Sequence, residues 1–127
     1  MSEEKVLVVD DEEVIRDVCE QILSGEGYLV TTAASGKEAL HLVSEKDFDA
    51  VVTDIMMPDM SGLELLEVIK STSMDVSAVV ITGLGTFDMA TQSDRLGARE
   101  FVVKPFTPDE LSLAVRKALG KGVTNQG

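Results

Sequence analysis

Four short apolar segments of this chain each end in a polar residue able to bind or accept a phosphoryl group. Those residues are Asp10 and Asp11 after the first segment, Asp54 after the second, Thr82 after the third and Lys104 after the fourth. Carboxylates bind Mg²⁺ and accept phosphoryl groups, whereas a hydroxyl and an ammonium bind phosphoryl oxygens. Brought to one place, these side chains would form a site for phosphoryl chemistry.

The four segments are predicted to be buried strands of one parallel sheet. They are short, apolar at successive positions and rich in β-branched residues, as strands covered on both faces are. The segments are Val6–Val9, Ala50–Thr53, Ala78–Ile81 and Phe101–Val103, and the more alternating Tyr28–Thr32 is predicted to be an edge strand. Because open parallel sheets bind ligands outside the carboxyl ends of their strands, the four segments deliver their polar residues to one edge.

Helical periodicity between the strands predicts five helices. Capping boxes mark the starts of three of them, namely Ser35 with Glu38, Ser61 with Glu64, and Thr107 with Glu110. Alternation of strand and helix predicts an α/β fold, a doubly wound five-stranded parallel sheet of flavodoxin-like order 2-1-3-4-5. The crevice of such a sheet lies beside its first strand, at Asp10, Asp11 and Asp54.

The fourth predicted helix, Thr86–Leu96, differs from the others. Its apolar stripe is thin, its helix propensity is low, and the chain enters it through Gly83-Leu84-Gly85. We therefore expect it to move more easily than the other helices. Residues 1–120 are predicted to form one domain, and residues 121–127 a frayed tail or the stub of a linker.

Composition excludes several classes of function. The net charge is −12, from 23 acidic and 11 basic residues, which disfavours binding to nucleic acids or anionic membranes. No apolar stretch approaches the roughly 20 residues of a membrane span, and the N-terminus lacks the features of a signal peptide. A cytoplasmic location is expected. The single Cys19 excludes an internal disulfide, and His41 lacks the partners that a histidine-based site needs.

Each polar residue at the predicted site also has an ordinary structural explanation. Asp11 would serve as a helix N-cap, Asp54 as a turn residue, Thr82 as a β-branched strand residue and Lys104 as a solvated lysine. Three carboxylates in one crevice repel one another, however, unless a cation offsets their charge. Mg²⁺ suits such oxygen ligands, and a cis bond before Pro105 would direct Lys104 into the crevice.

With these residues in their order, the chain resembles the receiver domain of bacterial two-component response regulators. The matching segments are VLVVDDE at 6–12, DAVVTDIMMPDMSGLELL at 49–66, VVITG at 79–83 and GAREFVVKPF at 97–106. The match extends from about Lys5 to Leu119. Four ordered motifs at strand ends are a strong signal, whereas one acidic pair would be a weak one.

The resemblance implies a role for each residue of the site. Asp54 is implied to be the phosphoryl acceptor, and Asp10 and Asp11 to hold Mg²⁺, or Mn²⁺ in its place. Asp54 and the backbone carbonyl of Met56 would complete the protein ligands. Lys104 would pair first with Asp54 and then with the phosphoryl group.

The resemblance also implies a switch and its partners. Thr82 would bind a phosphoryl oxygen after transfer, and the rotamer of Phe101 would respond. The face formed by the Thr86–Leu96 helix, the last strand and the last helix would then change. The implied phosphodonor is a sensor histidine kinase or a histidine phosphotransfer protein. Output would pass through an effector protein, an effector domain missing from this chain, or a phosphorylation-dependent homodimer.

Such a domain is a signalling module rather than an enzyme, limited to self-phosphorylation from a donor and self-dephosphorylation. Met56 and Leu84 are apolar and would flank the phosphoryl group, which predicts slow hydrolysis.

Three alternatives compete with this interpretation. A phosphatase of the haloacid-dehalogenase type needs a D-x-D-x-T motif, whereas residues 10–13 are all acidic. A flavodoxin-type carrier needs a phosphate-cradling first loop, and a receiver that signals without phosphorylation would not need every motif residue.

Overall fold

The computed structural model describes residues 3–72, 75–83 and 98–120, with Ala98 and Arg99 described through their backbone only. The strands are β1 Lys5–Val9, β2 Leu29–Ala33, β3 Ala50–Asp54, β4 Ser77–Thr82 and β5 Ala98–Val103. The helices in these ranges are α1 Glu13–Gly25, α2 Gly36–Glu45, α3 Gly62–Thr72 and α4 Pro108–Ala118. The predicted helix Thr86–Leu96 and the predicted tail lie outside the described residues.

The five strands form one parallel sheet of order β2-β1-β3-β4-β5, as predicted. β1 pairs with β3 in a register that sets Val9 opposite Thr53, and β3 pairs with β4 so that Asp54 lies opposite Ile81. β2 lies at one edge of the sheet, which confirms its assignment as an edge strand. The register brings the carboxyl ends of β1, β3 and β4 side by side.

Helices cover both faces of the sheet, and this explains why its central strands are continuously apolar. Val6 and Val8 point to a core that includes Cys19 and Leu23 of α1. The alternate residues of β1, Leu7 and Val9, belong to a second core on the other face, with residues from α2 and α3. Since successive side chains of a strand point to opposite faces, β1 contributes to both cores.

Two of the predicted capping boxes form as expected. The hydroxyl of Thr107 accepts a bond from the backbone N–H of Glu110 at 3.1 Å, and the Glu110 carboxylate accepts the N–H of Thr107 at 2.8 Å. Ser61 and Glu64 make the same reciprocal pair. At α2 the Ser35 hydroxyl caps Glu38, but the Glu38 carboxylate binds the N–H of Ala34 rather than that of Ser35. That box is therefore displaced by one residue.

No helix in the described ranges is long and apolar enough to cross a membrane.

Candidate functional site

Three carboxylates meet where β1 and β3 end. Asp10 and Asp11 follow β1, Asp54 is the last residue of β3, and one oxygen from each lies within 4.8 Å of the others. Their proximity follows from strand register, because Val9 and Thr53 are paired and the next residue of each strand continues alongside. Asp10 is 1% exposed and Asp54 is also buried, whereas Asp11 is exposed.

Lys104 closes this group. Its Nζ donates a hydrogen bond to Asp54 Oδ2 at 3.1 Å and lies 3.4 Å from Asp10 Oδ2 and 3.8 Å from Glu12 Oε1. The Lys104–Pro105 peptide bond is cis, and the lysine side chain lies in the crevice, as the sequence suggested. The three aspartates and Lys104 are called the carboxylate pocket below.

The surroundings of the carboxylate pocket raise the pKa values of both Asp10 and Lys104. Burial raises the pKa of Asp10, and the charge of Asp54 adds to that effect, while the N–H of Glu12 and the ammonium of Lys104 oppose it. Burial alone would lower the pKa of Lys104, but its hydrogen bond to Asp54 and the nearby carboxylate charges raise it. Lys104 therefore stays charged, yet it does not fully compensate Asp10.

The pocket fits a divalent cation. Asp10 Oδ1 accepts the N–H of Glu12 at 2.9 Å, but the buried Asp10 Oδ2 has no hydrogen-bond partner among the described residues. Buried polar atoms are normally hydrogen-bonded, and here the Lys104 ammonium at 3.4 Å is shared among several carboxylates, so Asp10 Oδ2 can accept a further positive partner. An all-oxygen donor set of this kind suits Mg²⁺. The resemblance drawn from the sequence motifs implies Mg²⁺ binding at these aspartates, and the cluster that the structure brings together agrees with it.

The loop after β3 orients the Asp54 carboxylate. The backbone N–H of Met56 lies 3.3 Å from Asp54 Oδ1, while the Thr53 hydroxyl donates to the backbone carbonyl of Asp54 at 3.0 Å. The two oxygens of Asp54 thus have different partners, Met56 on one side and Lys104 on the other. The role of the Met56 carbonyl as a metal ligand stays a prediction.

Gly62 is a residue of the site that sequence reasoning missed. It begins α3, and its N–H donates to the carbonyl of Ile55 at 2.8 Å. A Cβ at this position would overlap the backbone carbonyl oxygen of Asp54. The available signal was a glycine directly after the Ser61 cap, where a good helix former would otherwise stand.

The structure describes Thr82 and Phe101, the two residues of the predicted switch, and their roles stay predictions. Thr82 is buried at the end of β4, and its backbone carbonyl accepts the N–H of Lys104 at 2.9 Å. Phe101 of β5 is half-buried against a small core that includes Ile55 and Val80. Leu84, the other predicted apolar neighbour of the phosphoryl group, lies outside the described residues.

Comparison with known proteins supports the resemblance seen in the motifs. The chain matches the family model of the response regulator receiver domain over residues 6–116. It is 43% identical over 118 residues to a probable transcriptional regulator, ycf27, of Guillardia theta, a match that covers 93% of this chain and 46% of that protein. It is 40% identical over 114 residues to the response regulator SaeR of Staphylococcus aureus, covering 90% and 50% of the two chains.

A solved structure shows the same fold. A CheY-like response regulator receiver domain protein from Methanospirillum hungatei JF-1 superposes with a TM-score of 0.89 at 32% identity, covering 94% of this chain and 96% of that one. The predicted resemblance and fold class are confirmed. The chain spans about half the length of the curated relatives it matches.

Proposed function

Because this chain belongs to the response regulator receiver domain family, we propose that it is a phosphorylation-activated switch whose acceptor is Asp54. The donor is a phosphohistidine on a sensor kinase or a histidine phosphotransfer protein, and the reaction depends on Mg²⁺. The domain itself is a signalling module. It acts in the cytoplasm, where such donors would meet it, and it does not bind nucleic acid directly because its charge is strongly negative.

One observation carries this proposal: a nearly buried carboxylate lies 3.1 Å from an ammonium and beside two other carboxylates. Phosphoryl transfer depends mainly on positioning and on neutralising the charge of the transferred group. Asp10 and Asp11, with Asp54 and the Met56 carbonyl, would hold Mg²⁺, which supplies positive charge to the phosphoryl oxygens. Lys104, which directly follows β5, supplies a second positive partner.

The transfer step uses Asp54 as the nucleophile. One of its oxygens forms a bond to phosphorus while the phosphorus–nitrogen bond of the donor breaks, and the donor imidazole leaves with that electron pair. The product is an acyl phosphate. Lys104, already paired with Asp54 before transfer, moves its hydrogen bond to the new phosphoryl group.

The surface beside the carboxylate pocket suits a protein donor. Val14 is 70% exposed on α1, and Val18 is also exposed. A groove next to Lys104 is lined by Ile15, Val18, Pro105 and Phe106. An apolar surface at the mouth of an acidic site would let a donor protein dock by hydrophobic contact while its phosphohistidine reaches Asp54.

Phosphorylation then changes the output face. A phosphoryl group adds charge and acceptor oxygens at Asp54, which draws the Thr82 hydroxyl toward it. The half-buried Phe101 moves into the space that Thr82 leaves. The face made by β5, α4 and the predicted helix Thr86–Leu96 shifts with them. That face controls a partner protein, a further domain, or assembly into a homodimer.

The test is exposure to acetyl phosphate and Mg²⁺, followed by intact mass. We expect one phosphoryl adduct that is lost in Asp54→Ala and when the metal is chelated. Asp47→Ala, which removes an exposed aspartate far from the pocket, is the matched control and keeps the adduct. Steady turnover of acetyl phosphate without an adduct would favour the phosphatase alternative. No reaction at all would favour a receiver that signals without phosphorylation.

A further inference from the structure

The loop after Asp54 holds three methionines in different environments. Met56 is 59% exposed, whereas Met57 is 9% exposed and packs in the core with Leu65 and Ile69. Met60 is partly buried and lies against Gly36 at the start of α2. Thioether sulfur is oxidised where solvent reaches it, so we expect Met56 to be oxidised most readily, Met60 less readily and the buried Met57 least.

The exposed methionine is also the one tied to the acceptor. The Met56 backbone N–H lies 3.3 Å from Asp54 Oδ1, the oxygen that Lys104 does not hold. This bond keeps residue 56 beside the acceptor carboxylate while its side chain faces solvent. A chemical change at Met56 therefore alters the solvent side of the phosphoryl site without touching the core.

We propose that Met56 is a peroxide modification site whose oxidation shortens the lifetime of the phosphoryl group on Asp54, an inference that rests on the proposed function. The thioether sulfur attacks one oxygen of a peroxide, the oxygen–oxygen bond breaks, and a sulfur–oxygen bond forms. The second oxygen leaves as water after proton transfer. Sulfur is oxidised by two electrons, and the peroxide is reduced.

Oxidation replaces an apolar neighbour of the phosphoryl group by a hydrogen-bond acceptor. The sulfoxide oxygen can accept a hydrogen bond from a water molecule and hold that water near phosphorus. In hydrolysis the water oxygen bonds to phosphorus, the bond to the Asp54 oxygen breaks, and inorganic phosphate leaves with the carboxylate restored. Since one ordinary hydrogen bond made in the transition state changes a rate by roughly tenfold, we expect a shortening of that order.

The first measurement is the order of oxidation in the unphosphorylated full chain. Hydrogen peroxide is added for increasing times, and peptides are mapped by mass. We expect Met56 sulfoxide to form before Met57 sulfoxide, because burial shields the latter. Oxidation of Met57 ahead of or together with Met56 overturns the proposal, since the site would then lack selectivity. This readout does not depend on phosphorylation.

The second measurement is the lifetime of the Asp54 adduct, with and without prior peroxide treatment. We expect treatment to shorten it roughly tenfold in the wild type and in Met57→Leu, and not in Met56→Leu. Met56→Leu keeps an apolar side chain of similar volume. It leaves the other methionines of the chain in place, including Met1, Met74 and Met89, so any shortening that they cause persists in this variant. Methionine sulfoxide reductase should restore the original lifetime.

The two proposals fail in different ways. An adduct that forms normally but decays at the same rate after Met56 oxidation overturns the peroxide inference and leaves the proposed function intact. Equal sensitivity in Met56→Leu and the wild type does the same, because another methionine would then be responsible. Absence of any adduct on Asp54 overturns both.

Discussion

Asp10 in the carboxylate pocket and Asp59 in the loop before α3 are both aspartates near a strand end, yet the fold treats them in opposite ways. Asp10 is buried, one of its oxygens has no hydrogen-bond partner among the described residues, and burial raises its pKa. Asp59 is exposed, and its two oxygens accept backbone N–H groups of Gly36 and Lys37 at 3.2 and 2.9 Å. Those hydrogen bonds lower the pKa of Asp59, and the bond from the Lys37 N–H has the larger effect.

The difference separates a structural carboxylate from one that is prepared for a cation. Asp59 caps the N-terminus of α2, where free N–H groups and the helix dipole favour negative charge. Backbone N–H groups of the protein satisfy both oxygens of Asp59. Asp10 shares its pocket with two other carboxylates, and Lys104 is the cation paired with the side chains of Asp10 and Asp54 among the described residues. A further positive partner would oppose the effect of burial and lower the pKa of Asp10.

Each region also contains a glycine, and these give the largest expected effect. A Cβ at Gly62 would meet the backbone of Asp54, whereas a Cβ at Gly36 would meet the Met60 side chain. The Asp54 backbone is held in the sheet and cannot move aside, whereas the Met60 side chain can adopt another rotamer. We expect Gly62→Ala to lower the free energy of unfolding by about 3 kcal/mol, and Gly36→Ala to change it by less than about 1 kcal/mol.

Urea denaturation of both variants measures this difference. A similar loss at the two positions would mean that the contact with Asp54 is no more rigid than the contact with Met60. The Gly62 variant should also lose phosphorylation, because displacing the Asp54 backbone moves its carboxylate from Lys104.

Replacing Asp10 by asparagine tests whether the pocket awaits a cation. Asp10→Asn removes a buried charge, so we expect the free energy of unfolding without metal to rise by about 1–2 kcal/mol. Wild-type protein should gain stability when Mg²⁺ is added, and the variant should lose most of that gain. Thermal unfolding with and without Mg²⁺ measures both effects.

Asp59→Asn is the matched control for that experiment. It should keep the full response to Mg²⁺, because Asp59 is not part of the carboxylate pocket. An equal loss of the Mg²⁺ response in both variants would break the distinction between the two aspartates.

The smallest effect concerns the pH dependence of the α2 cap. The pKa of Asp59 is lower in the folded state than in the unfolded chain. The ionised Asp59 side chain therefore adds to the free energy of unfolding above the unfolded pKa of about 3.9, and this stabilisation is lost as pH falls through the folded pKa. Because the side chain is exposed, we expect Asp59→Ala to cost only about 0.5 kcal/mol at neutral pH. The difference between variant and wild type should shrink in acid, as followed by urea denaturation. A constant difference would show that the Asp59 charge does not matter to the cap.

Much of this protein was predictable because its signals are local. Unbroken apolar runs identified the strands, the strand–helix alternation predicted the sheet order, and strand ends located Asp10, Asp54 and Lys104 at one edge. The displaced box at Ser35 was not predictable, nor was the cap that Asp59 provides to α2 from 23 residues away. The Asp59 cap depends on a loop that is distant in sequence, and no local pattern encodes its approach.

The sequence by itself determined which residue types reach the carboxyl edge, since periodicity and burial on both faces leave few arrangements of the strands. Only the tertiary structure decided how those residues meet. Strand register places Lys104 3.1 Å from Asp54 and leaves an oxygen of Asp10 without a hydrogen bond among the described residues. The packing of α3 brings Gly62 so close to the Asp54 backbone that a larger residue would clash with it. The physical reason is that charge compensation and steric contact depend on distances of a few ångströms, which emerge only when separate segments pack together.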